Sequence, residues 1–173
     1  MTLIREHKKT MTKINEFHPE TGLTIRHAVA DDLSRIIELD EQNGGMSKPD
    51  YWKESFRRFG GLQEGRYFLV AEKDHQLVGF IIGEIRAWEF GSPPGGWVFS
   101  LTVDPDTRLG GVATLMFDTI CHSFRQAGVD KVHTMIDRNN ITVMSFFRSQ
   151  GMMAGNTIPL QMDLSEISEM ESS

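Results

Sequence analysis

The sequence holds one cysteine, Cys121, so no disulfide can form within the chain and nothing argues for an oxidising compartment. A cytoplasmic location is the expectation. Long apolar runs are missing too: charges interrupt every hydrophobic stretch short of the roughly 20 residues that cross a bilayer, and no membrane partner is expected. Basic residues are in deficit, with 18 Lys+Arg against 24 Asp+Glu and a formal net charge of −6. That balance disfavours nucleic acid as a partner, because phosphate binding needs clustered lysine and arginine, and it suits a cationic substrate somewhat better. The histidines are scattered; His75, His122 and His133 show no metal-ligand spacing, and no metal is expected. There is no internal repeat.

What the chain does contain fits one globular domain: 173 residues, 39% hydrophobic and 24% charged, enough for a continuous core. Residues 1–22 mix Arg5, Lys8, Lys9, Lys13 and Glu16 with isolated apolar residues and read as a flexible leader without a signal-peptide core. Residues 23–164 carry the periodic patterns of a folded domain. Residues 165–173 form an acidic tail that reads as disordered.

Leu23 to Val29 alternates like a half-buried strand, and Asp31 or Asp32 can cap the helix that follows, with Leu33, Ile36, Ile37 and Asp40 on one face. Ser47-Lys48-Pro49-Asp50 carries the N-cap serine and early proline of a second helix, whose face is Trp52, Phe56 and Phe59. Tyr67–Ala71, Leu77–Trp88 and Trp97–Val103 are strands joined by turns at Lys73–Gln76 and Gly91–Gly96, an antiparallel meander. Ala113, Phe117, Ile120, Phe124 and Ala127 then step by four and three to a closing Gly128, the strongest helical pattern in the chain. A strand at Lys131–Ile136, a helix from Asn139 or Asn140 to Gly151 and a last strand at Thr157–Leu164 complete the order. The fold class expected is α/β: a twisted, mixed but mainly antiparallel sheet with helices on both faces.

The stretch Val103-Asp104-Pro105-Asp106-Thr107-Arg108-Leu109-Gly110-Gly111-Val112-Ala113 sets an arginine and two glycines between a strand end and a strong helix. Such a junction binds anions, since first-turn N–H groups lack partners within the helix, the helix dipole adds positive charge, and glycine admits a phosphate. Arg108 can add charge-assisted bonds. Alternatively, Gly110 and Gly111 only shape a tight turn. No lysine followed by serine or threonine stands after the glycines and no G-x-G-x-x-G is present, which disfavours ATP and NAD.

Arg108, Gly111 and Ala113 follow the Q/R-x-x-G-x-G/A pattern, and in this the chain resembles the GNAT superfamily of acyl-CoA-dependent N-acyltransferases. Asn140, Val143, Phe146-Phe147 and Gly151-Met152 match a second feature of that family, and the resemblance spans about residues 23–164. It implies acetyl-CoA as cosubstrate, held in a splay of the sheet by main-chain groups of Leu101 and Val103. Amides from Arg108 through Leu109, Gly110, Gly111 and Val112 to Ala113 would take the pyrophosphate, and Asn140 and Phe147 would stand near the pantetheine or sulfur end. Asn140 serves equally well as a plain helix N-cap. Family members frequently dimerise, so a homodimer is compatible.

The reaction implied is direct attack of a neutral primary amine, on a small molecule or a peptide, at the thioester through a tetrahedral oxyanion. Alignment of two bound reactants can remove roughly 7–11 kcal/mol of barrier. A lysine-like amine costs on the order of 4 kcal/mol to deprotonate at neutral pH, so a base is useful. The candidate is Glu84, a carboxylate in the apolar strand Val78–Arg86; the other reading is a glutamate paired with Arg86 or a neighbouring strand. Many family members place a tyrosine acid where this chain has Phe147, which cannot donate a proton; Tyr51 or Tyr67 can substitute or simply pack. A thiol of pKa about 8.5 leaves tolerably unaided, so the substitution slows rather than forbids transfer. It also keeps open a non-catalytic acyl-CoA-binding regulatory module. Cys121 and Ser145 form no triad with His133, and Trp88, Phe90 and Trp97 either line an acceptor pocket or pack the hairpin.

Overall fold

The computed structural model describes residues 13–88 and 91–164, and of Arg108 and Leu109 the main chain alone. Phe90, most of the leader and the acidic tail at 165–173 lie outside the described residues. The elements are β1 (Asn15–His18), β2 (Leu23–His27), α1 (Leu33–Gly44), α2 (Pro49–Phe59), β3 (Arg66–Lys73), β4 (Gln76–Arg86), β5 (Gly95–Val103), α3 (Val112–Gln126), β6 (Val132–His133) and α4 (Ile141–Ser149). Short 3-10 helices at Ala30–Asp32 and Pro105–Gly110 precede α1 and α3. The chain divides into two compact units between Met135 and Ile136: the sheet and α1–α3 belong to the first, α4 to the second.

The six strands lie in sequence order, each antiparallel to the next until β5 and β6, which run parallel across α3. The α/β class and the mainly antiparallel mixed sheet expected from the sequence hold. Two expectations fail at the ends. The leader read as flexible through Gly22 contains β1, which pairs with β2 from Asn15↔Arg26 to His18↔Leu23. Thr157–Leu164, read as a last strand, has no strand structure; its apolar side chains Ile158, Leu160, Met162 and Leu164 are exposed.

Period-2 alternation sends Phe68, Val70, Phe80 and Ile82 to one face, where they join Ile36 and Leu39 of α1 and Trp52 and Phe59 of α2. Burying each such side chain contributes about 1.5–3 kcal/mol. The α1–α2 pair is pinned by Asp40, whose carboxylate accepts the Trp52 indole N–H at 2.8 Å and pairs with Lys48 at 2.9 Å. The opposite face receives α3. Gly83 and Gly96 make that approach possible: a Cβ at Gly83 would meet Ile120, and one at Gly96 would run into the Phe124 ring.

Caps differ from the sequence reading in two places. Asp32 does not cap α1; its carboxylate turns back to accept the Val29 N–H at 2.8 Å and holds Arg26 through two bonds of 2.8 and 2.9 Å, a stronger partner than a lone amide. Ser47 lies one residue too early, since Pro49 begins α2 and Lys48 occupies the N-cap. Among the described residues no helix is long and apolar enough to cross a membrane.

Candidate acyl-donor and acceptor site

The outer edge of β5 is the open seam of the first unit. Pairing with β6 covers Gly96↔Val132 and Trp97↔His133, and among the described residues no strand pairs with the outer edge of β5 beyond that point. On the inner side, Asp104 N–H donates to the Val78 carbonyl at 2.8 Å. Alternation along an antiparallel ladder therefore turns the main-chain groups of Leu101 and Val103 outward, toward the open edge. A bulge at Ile82/Gly83 leaves Phe99 as the extra residue of β5 and bends the strand where the seam opens. Leu101 and Val103 are the two residues whose main chain the family resemblance implies for the cosubstrate.

The edge runs straight into the glycine turn. Asp104 organises it: one carboxylate oxygen accepts the Asp106 N–H at 3.0 Å, the other takes the Arg35 guanidinium at 2.6 Å, and the carbonyl accepts the Thr107 hydroxyl at 3.2 Å. The backbone of Arg108, Leu109 and Gly110 completes the 3-10 helix, and Gly111 turns into α3 at φ 73° and ψ 9°. That left-handed conformation suits glycine, and the space where a Cβ would stand is open to at least 4 Å. Among the described residues no side chain caps α3 and no acidic residue lies in its first turn, so the helix start at Val112 and Ala113 keeps its partial positive charge. A cavity of about 190 Å³ adjoins the turn, with Lys73, Asp106, Thr107 and Gly110 in its wall. An unpaired strand edge followed by an uncapped, glycine-opened helix start fits a pantetheine arm ending in a pyrophosphate.

Glu84 stands on the α1–α2 face of β4, opposite Arg66 of β3 and Trp97 of β5. Its carboxylate, 15% exposed, accepts the Arg86 Nε–H at 2.9 Å through Oε1, while Oε2 stays 3.9 Å from Arg66 Nε. The pairing with Arg86 considered from the sequence is therefore present, and Oε2 makes no short bond among the described residues. Around it Trp97 stacks on His133 at 4.9 Å, Arg86 lies 5.4 Å over Trp97, and Phe99 packs on Phe59 at 5.0 Å.

Tyr67 faces the other way. Its ring meets Phe124 edge-on and its hydroxyl approaches the Ser123 carbonyl at 3.5 Å, with burial pushing its pKa above the ordinary value. Tyr51 is exposed against Trp52 on α2. Burial in α3 pushes the Cys121 thiol up to about 11, far from a reactive thiolate. Trp88 is exposed at φ 64°. In the second unit, Asn140 caps α4, its side chain accepting the Val143 N–H at 3.1 Å, and Phe147 is buried with its ring edge-on to Phe146. Sequence reasoning passed over Arg35, which anchors Asp104, and over the Arg86–Trp97–His133 stack. Neither carries a local signal, because each joins residues far apart in the chain. Among the described residues no group of three or more His, Cys, Asp or Glu can hold a metal ion.

A protein-family model described as the acetyltransferase (GNAT) family matches residues 31–152. No curated protein matches the chain in sequence. Among solved structures, the aminoglycoside N-acetyltransferase AAC(6')-Iy in complex with CoA is similar at TM-score 0.72 and 16% identity, covering 82% of this chain and 95% of that one. The aminoglycoside 6'-N-acetyltransferase AAC(6')-IG from Acinetobacter haemolyticus gives 0.69 and 20%, with 80% and 97% covered. A transcriptional regulator from Bacillus halodurans gives 0.70 and 15%, with 82% and 99% covered.

Proposed function

The chain belongs to the acetyltransferase (GNAT) family and is an acyl-CoA-dependent acetyltransferase, and from that premise we propose that it passes the acetyl group of acetyl-CoA directly to a primary amine, with Glu84 receiving the amine proton. The observation that carries this reading is the unpaired outer edge of β5 leading into the uncapped start of α3 at Gly111.

Acetyl-CoA supplies an activated acyl thioester. Leu101 and Val103 offer main-chain donors and acceptors to its amide-bearing arm, as a strand edge does for an extended peptide. The turn from Arg108 to Ala113 offers amides and a helix dipole to its diphosphate. The family resemblance assigns Asn140 and Phe147 to the sulfur end, where a phenylalanine donates no proton. With Oε1 engaged by Arg86, Glu84 accepts the proton at Oε2, directly or through one water.

The experiment is CoA thiol release from acetyl-CoA across amino acids, peptides, polyamines and aminoglycosides. Turnover with one of these classes, reduced about 100-fold or more in Glu84→Gln with CoA affinity retained, is the expected result. Silence across the panel, or full activity of Glu84→Gln, contradicts it.

A further inference from the structure

The chain is acidic overall, yet its charge reverses around the candidate base. On the α1–α2 face two guanidinium groups, Arg66 and Arg86, flank the carboxylate of Glu84, Arg86 also lies over the Trp97 ring, and Arg66 and Arg58 lie over the Phe59 ring. Glu64, exposed in the preceding loop, acts on Tyr67 on the opposite face. Arg86 spends one N–H on Glu84, and its four remaining N–H groups meet no acceptor among the described residues. Arg66 donates to the Arg58 carbonyl at 3.3 Å and the Gln63 side chain at 3.4 Å, and its head is 46% exposed. A lone carboxylate acting as base for a polycation would gain from acidic neighbours; here it has basic ones.

We infer that the amine acceptor is itself anionic at its other end, an amino-acid-like molecule whose carboxylate is received by Arg86 and Arg66 while its amine meets Glu84. The inference rests on the reading of this site as an acetyltransferase acceptor pocket. A guanidinium matches a carboxylate in a two-bond fork, and Arg86 is held for it at Nε by Glu84, with its guanidinium carbon 5.4 Å from the Trp97 ring centre. Because Arg86 and the free oxygen of Glu84 are direct neighbours, the carboxylate and amine of the acceptor must be only a few bonds apart, as in a free amino acid rather than in the body of a peptide. The strand order sets Trp97 between Arg86 and His133, with the Trp97 and His133 rings stacked at 4.9 Å and Arg86 5.4 Å from the Trp97 ring centre. Phe99, 40% exposed at the bulge, adds a second apolar surface, which favours an acceptor with an apolar or aromatic side chain.

The test is calorimetric titration of the full chain, with CoA present, using L-phenylalanine, L-phenylalaninamide and an aminoglycoside. The acid is expected to bind at least tenfold more tightly than its amide and than the aminoglycoside. Arg86→Gln should erase most of that preference while CoA affinity and melting temperature hold; Arg66→Gln should erase part of it. A protein that binds CoA but takes the acid no better than the amide or the polycation overturns this inference and leaves the acetyltransferase reading standing. A protein that does not bind CoA brings down that reading and this inference with it.

Discussion

Two ionic clusters on the same sheet use the same residue types in opposite proportions. At the β2–β3 end, Arg26 is shared by two carboxylates: it grips Asp32 through two bonds and Glu72 at 2.9 Å, and Arg35–Asp104 lies nearby with its acid also engaged. At the β4–β5 end one carboxylate, Glu84, is shared by two guanidinium groups. The first cluster has no arginine donor to spare at its centre and ties β2, β3 and the turn before α1 together. The second keeps donors and one carboxylate oxygen unspent beside the open edge of β5. Saturation marks the structural cluster, and surplus marks the one that can meet a ligand.

The contrast is most exposed to a pair of substitutions. Arg26→Gln strands Asp32 and Glu72 and should cost about 2–3 kcal/mol, below the 3–5 of a fully buried pair because the three side chains are 23%, 9% and 26% exposed. Urea unfolding reads this loss, and the turnover of the folded fraction should be unchanged. Glu84→Gln should do the reverse, lowering turnover while changing stability by less than about 1 kcal/mol. Interchanged results would dissolve the distinction.

A smaller effect concerns His27, which is buried with neither ring nitrogen bonded among the described residues; burial and then Lys13 hold its pKa below 6.5. The unfolded chain takes up a proton below about pH 6.5 while the folded chain resists, so stability is full above that pH and falls as pH drops toward the depressed folded value. Melting temperatures from pH 7.5 to 5 should fall more steeply for the wild type than for His27→Leu. Smallest of all, the Glu54–Arg57 pair is fully exposed, and Arg57→Ala should leave both melting temperature and turnover where they were.

The central sheet and α3 were legible because their patterns are local. Leu77 to Arg86 is a nearly unbroken apolar run that starts at a turn, and Val112 to Gly128 carries its own period and C-cap. The glycine turn was legible for the same reason, and the left-handed conformation of Gly111 at the start of α3 follows from residues adjacent in sequence. β1 was not, because Asn15–His18 is mostly exposed and polar and exists only through its ladder with β2. Thr157–Leu164 misled in the opposite sense: its alternation is strand-like, but alternation without a partner makes no strand. The setting of Glu84 lay between these cases. Its carboxylate in an apolar strand was visible, whereas the arginines and the Trp97–His133 stack beside it come from four strands whose register no local pattern encodes.

The measurement that bears most directly on the open β5 edge is amide hydrogen exchange, residue by residue, with and without acetyl-CoA. Protection should rise at Leu101 and Val103 and at Val112 and Ala113, with β2 and β3 unchanged. Binding that leaves those four amides exchanging as before, or protection confined to the Arg26–Asp32 end of the sheet, would contradict the account.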